Sequence, residues 1–177
     1  VLATLAALVP FQASALSYGG SSSYRSGKYY TRLTQVNLTG NQRTDIVNIA
    51  KSQIGYQEGS SSSQLSGTTY GGKNYTEYGR WYGMQDMWCA MFVSWCAYVA
   101  GISSDIVTYH QYTESQILPY KNAGRAYDWS TVQAGGYTPE AGDIVYFYNG
   151  AAGRTVNHVG IVTGFSNNYL YTIEGNT

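Results

Sequence analysis

Two cysteines and two histidines are the only soft nucleophiles and near-neutral bases in the chain. Cys89 and Cys96 both lie in residues 86–102, an apolar stretch in which Cys89, Phe92, Val93, Cys96 and Ala100 recur at helical spacing. Trp88, Trp95, Tyr98 and Val99 fill much of the remaining circumference, so the pattern predicts a central buried helix. Asp86 is placed to cap its start and Gly101 to end it in a left-handed turn. Cys89 then falls in the first turn, where unpaired backbone N–H groups favour a thiolate. Seven residues along a helix separate two Cα atoms by about 10 Å. A disulfide spans less than about 7 Å, so both thiols are expected free, with Cys96 a small core residue.

A nucleophile needs a base and a group to orient that base. His158 lies in the apolar run 156–162, where Val156, His158, Gly160 and Val162 share one face and Val159 and Ile161 the other. Gly160 leaves space on the histidine side. In the run 169–173, continued to Glu174, Leu170, Thr172 and Glu174 share a face, and Asn176 follows on it if the strand passes Gly175. Antiparallel neighbours therefore bring Glu174 or Asn176 beside His158. His110 has no comparable strand setting. The chemistry is acyl transfer: Cys89 attacks a carbonyl carbon, His158 handles the proton, and Glu174 or Asn176 holds the imidazole. The Cys89 N–H is one oxyanion donor, and Tyr56, Gln57, Tyr78, Tyr82, Gln85 and Trp88 are substrate-binding or oxyanion candidates that the sequence does not rank.

The elements that position these residues follow a helices-then-strands order. Residues 44–54 read as a helix with Thr44 as cap, and 105–118 as a second one limited by Pro119. Residues 75–83 are aromatic, interrupted by glycine, and placed to form a cleft wall. Strands are predicted at 144–148, 156–162 and 169–173, with a weaker one within 32–38. The fold class is α+β, helices packed on a C-terminal antiparallel sheet. Residues 1–15 resemble the core and cleavage signal of a secretory peptide, 16–43 a linker or N-terminal extension, and 44–177 a single catalytic domain. Charged residues make up 11% of the chain with zero formal net charge. That disfavours nucleic acid and anionic membrane as partners, and the apolar run at 1–9 is too short to span a membrane, so no stable membrane insertion is expected. With 19 tyrosines, the chain carries much flat, hydrogen-bonding contact area suited to a polar polymer.

Four motifs add a resemblance. Trp88-Cys89-Ala90-Met91-Phe92-Val93-Ser94-Trp95-Cys96 is similar to the nucleophile helix of CHAP domains, the cysteine, histidine-dependent amidohydrolases/peptidases of the papain-like and NlpC/P60 group. Pro139 to Phe147 resembles the family's turn and first strand, Asn157 to Val162 its histidine strand, and Ile173 to Thr177 its acidic strand. The resemblance implies a papain-like, NlpC/P60-like fold with Cys89 as nucleophile, His158 as base, Glu174 as orienter and Asn176 in support. It implies hydrolysis of an amide in peptidoglycan, either within the stem peptide or at the N-acetylmuramoyl-L-alanine bond. The protein is expected to work as a secreted or cell-wall-associated monomer without cofactor or catalytic metal. The alternatives are a peptidoglycan-binding module without turnover and a transacylase using the same acyl-enzyme.

Overall fold

The computed structural model describes residues 18–148 and 155–177. The secretory segment expected at 1–15 lies outside them. Seven helices precede three strands among the described residues. Helices α1 (Ser22–Arg25), α2 (Lys28–Thr34), α3 (Gln42–Ser52), α4 (Glu77–Tyr82), α5 (Cys89–Val99), α6 (Thr113–Asn122) and α7 (Trp129–Gln133) lead to β1 (Ile144–Tyr148), β2 (Val156–Ser166) and β3 (Tyr169–Glu174). The strands form one antiparallel sheet in the order β1-β2-β3. This is the expected α+β, papain-like layering of helices on a C-terminal sheet.

The predicted central helix is α5. Ten of its eleven residues are buried, Cys96 completely. Both cysteines are free. Its end follows expectation: Gly101 adopts φ 71° and the Ile102 N–H bonds the Ala97 carbonyl. Its start does not. The helix begins at Cys89, the N-cap is Trp88, and no side chain caps it. Asp86 instead accepts from the adjacent Met87 N–H.

Several boundaries moved for local reasons. The cap of α3 is Asn41, whose side chain accepts from the Thr44 N–H, because the helix starts two residues earlier than the apolar pattern does. The aromatic segment forms α4, capped by Thr76 through the Gly79 N–H. Helix α6 starts at Thr113 and runs through Pro119 to Asn122. Its fixed points are tertiary: Thr113 Oγ1 donates to the Val156 carbonyl, and Gln116 is fully buried among polar partners. Strand β2 continues past Val162, through an irregularity before Gly164, to a two-residue hairpin. That turn uses Asn167 and Asn168, both with positive φ.

Residues 18–43 are neither a separate linker nor a strand. Tyr24, Tyr29 and Leu33 belong to the same hydrophobic cluster as α5, Val159 and Ile161. The strand pattern within 32–38 gives way to α2 because Tyr29 and Leu33, one helical turn apart, face that cluster. Glu77, fully buried, ties the segment down. It accepts from the Tyr18 hydroxyl at 2.6 Å and from both the N–H and the hydroxyl of Ser21, and Arg80 bridges it at 2.6 Å.

Candidate active site

Cys89 enters the site from the first turn of α5, and His158 and Glu174 enter from the sheet. In register, Phe147 of β1 pairs with His158, and Gly160 of β2 pairs with Glu174 of β3. Because side chains two residues apart share a face, Glu174 lies diagonally across from His158. Gly160 makes the diagonal passable: a Cβ there would stand 2.5 Å from Glu174 Cγ. The carboxylate thus reaches the imidazole, with His158 Nε2 and Glu174 Oε2 2.8 Å apart. The second oxygen, Oε1, accepts from the Thr172 hydroxyl on the same strand face. Phe147 packs beside the imidazole, ring centroids 5.6 Å apart. With Nε2–H donated to Glu174, the lone pair sits on Nδ1, which has no partner among the described residues.

The Cys89 thiol is buried, and burial pushes its pKa up. Backbone hydrogen bonds from Ala90, Val159 and Cys89 pull it down, and the Glu174 charge adds a smaller upward push. Helix α5 packs against β2, the strand that carries His158. The first-turn amides of α5, uncapped by any side chain, are available to a negative sulfur or oxygen. Thiol and imidazole are not hydrogen-bonded to each other in this structure. Such contacts often tighten only when substrate engages the site.

Asn176 does not continue the His158 face. β3 ends at Glu174, Asn176 turns left-handed at φ 63°, and its side chain makes no hydrogen bond among the described residues. The oxyanion and substrate-binding candidates disperse. Tyr56 donates to the Leu65 carbonyl and accepts from the Glu77 N–H. Tyr78 is fully buried and donates to Gln53. Tyr82 bonds Gln111, Gln85 donates to the Lys73 carbonyl, and the Trp88 indole donates to Glu58. Gln57 is exposed and has no side-chain bond among the described residues. Tyr56, Tyr78 and Trp88 are therefore the aromatic packing behind the helix head. Centroids are 4.7 Å apart for Tyr56–Tyr78 and 5.4 Å for Tyr78–Trp88.

The sequence does not single out Phe147 and Thr172, which contact His158 and Glu174, or Glu58, which contacts Trp88. Thr172 carried a signal, since it shares the Glu174 face by strand periodicity. Phe147 did not, because the connection from β1 to β2 hides their register. Glu58 sits 31 residues before Cys89, and no sequence pattern links them. Among the described residues, no group of three His, Cys, Asp or Glu side chains is arranged to hold a metal ion.

A helix carrying a cysteine in its first turn, packed on an antiparallel sheet that carries a histidine and a carboxylate, is the arrangement of the papain-like NlpC/P60 group. A family model described as CHAP domain matches residues 78–176, and the chain belongs to the CHAP domain family. The matched span holds Cys89, His158 and Glu174. Membership brings a peptidoglycan-hydrolase type of family function in general. No curated protein and no solved structure matches the chain.

Proposed function

We propose that the protein is a cysteine hydrolase that cleaves an amide bond in peptidoglycan, with Cys89, His158 and Glu174 as its working groups. The observation that carries the reading is the His158–Glu174 contact, which fixes one ring nitrogen and leaves Nδ1 bare on the strand against which the Cys89 helix packs. The raised thiol pKa favours a neutral resting thiol over a preformed ion pair, so His158 acts as a general base.

In the first half-reaction Nδ1 takes the thiol proton as sulfur bonds to the carbonyl carbon. First-turn amides of α5 receive the developing oxyanion. The C–N bond then breaks, and the imidazolium hands its proton to the departing amine. In the second half, Nδ1 takes a proton from water, whose oxygen attacks the thioester. The acid leaves, and the proton returns to sulfur. Glu174 holds the ring in one tautomer throughout. Nothing in this scheme requires Asn176. A substrate of this kind places the work outside the cytoplasmic membrane, in or at the cell wall.

Digestion of purified peptidoglycan by wild type, Cys89→Ala and His158→Ala tests the reading. Wild type is expected to release new amines without new reducing ends, and mass spectrometry of the fragments identifies the bond. Both variants should fall to background. Amine release from wild type no greater than from Cys89→Ala would overturn the proposal.

A further inference from the structure

The start of α5 poses a problem that the site chemistry leaves unsolved. Its first turn carries Cys89, yet no side chain caps it, and the nearby Asp86 is spent on the Met87 N–H. Something else must hold the turn in place. The candidate is Trp88, the N-cap residue itself, whose ring is buried. A Cβ on Gly175 would lie 2.8 Å from its Cζ3 and 2.9 Å from its Cε3. The ring is thus wedged against the backbone immediately after Glu174. One side chain therefore spans the two elements that bring nucleophile and orienter together.

A wedge must be locked in rotation to set a distance. The lock is Glu58, whose Oε2 accepts the Trp88 Nε1–H at 2.8 Å. The Glu58 backbone is itself fixed: its carbonyl accepts from the Gly71 N–H, and the next residue, Gly59, donates to the Tyr75 carbonyl, each at 2.7 Å. No cation pairs with the Glu58 carboxylate among the described residues, so its visible task is the indole. We propose that Glu58 is a positioning residue for the nucleophile, acting through Trp88 to set the first turn of α5 against the end of β3. The inference rests on the reading of Cys89 as nucleophile and of Glu174 as the group that orients His158.

The test compares Glu58→Ala, Glu58→Gln, Trp88→Phe and the double variant Glu58→Ala/Trp88→Phe with wild type. Turnover is followed on soluble muropeptides, and Cys89 alkylation by iodoacetamide is followed by peptide mass spectrometry. Because misplacement near 1 Å costs up to about 100-fold, Glu58→Ala and Trp88→Phe should each lower kcat by about 10- to 100-fold with KM little changed. The double variant should be no worse than either single one. Glu58→Gln keeps an acceptor oxygen and should recover most of the lost kcat. Alkylation should run faster in Glu58→Ala, where a loosened turn exposes the thiol, and return towards the wild-type rate in Glu58→Gln.

Wild-type turnover and alkylation rates in Glu58→Ala would overturn the proposal, as would additive losses in the double variant. Losses in Glu58→Gln equal to those in Glu58→Ala, carried by KM, would also overturn it and assign the Glu58 charge to substrate binding. Wild-type turnover that equals that of Cys89→Ala sinks the catalytic reading instead, and the alkylation rates still decide the role of Glu58. If Glu58→Ala does not fold, Trp88→Phe against Glu58→Gln makes the same comparison.

Discussion

The Cys89 thiol is pulled in opposite directions by its surroundings. Burial and the Glu174 charge disfavour the thiolate, while three backbone amides favour it, and burial wins. Glu174 is thus a compromise: it holds His158 but works against the sulfur. In Glu174→Gln the like-charge push disappears, so the alkylation midpoint of Cys89 should move down in pH. Turnover should fall by about 10- to 10⁴-fold because the imidazole loses its anionic anchor. Iodoacetamide labelling across a pH series, run beside activity assays, checks both halves. A midpoint that stays put or rises would break this account of the thiol. At this scale the sequence was informative where strand periodicity applied. Period two placed His158, Gly160, Thr172 and Glu174 on matching faces. It was uninformative for the oxyanion candidates, because Tyr56 and Tyr78 have the composition of a binding surface but fold into the core. A tyrosine hydroxyl satisfied by Leu65 or Gln53 looks the same in sequence as one aimed at a ligand.

Among the elements, α5 was legible in all but its start, because an almost wholly apolar helix needs no partner to be recognised. α6 was not, since its boundaries depend on groups far away in the chain. Gln116 shows why. Its amide donates to the Ala90 and Thr108 carbonyls and to the Ser94 hydroxyl, and its oxygen accepts from Tyr146. One buried side chain thereby joins α6 to α5, β1 and the loop before it. Ala90 directly follows Cys89, so this hub also braces the back of the candidate site. Replacing Gln116 with Leu strands several buried polar groups and should cost roughly 2–3 kcal/mol in denaturant unfolding. A loss below about 0.5 kcal/mol, the size of an ordinary surface substitution, would show that the hub is replaceable. The helices α1 and α2 are hidden in the sequence for a related reason. A short, polar, serine- and glycine-rich stretch looks like linker until Tyr24, Tyr29 and Leu33 are seen packed under α5.

For the molecule as a whole, tyrosine is the main filling of one side of the core. Tyr24 and Tyr78 are fully buried, and burial raises both pKa values, as it does for Tyr18, Tyr56 and Tyr146. Tyr137 is pushed up to about 12, by burial first and by its bond to Asp143 second. Raised acid pKa values mean that the folded chain holds protons that the unfolded chain gives up above about pH 10. Stability contributed by these groups is therefore complete below that point and declines as pH rises beyond it. Tyrosinate absorbance and far-UV circular dichroism, followed together in alkali, should show a late group of tyrosines ionising only as the fold is lost. Full titration near pH 10 with structure intact would contradict the packing. The buried Glu77, bonded to Tyr18, Ser21 and Arg80, has one further consequence. The family pattern begins at residue 78, one position after the carboxylate that anchors residues 18–21. The unit that inheritance recognises is thus shorter than the unit that folds. A gene segment shuffled at that border would carry Cys89, His158 and Glu174 and leave Tyr24, Tyr29 and Leu33 behind, so recombination at that point would transplant these side chains without the aromatic floor on which they stand.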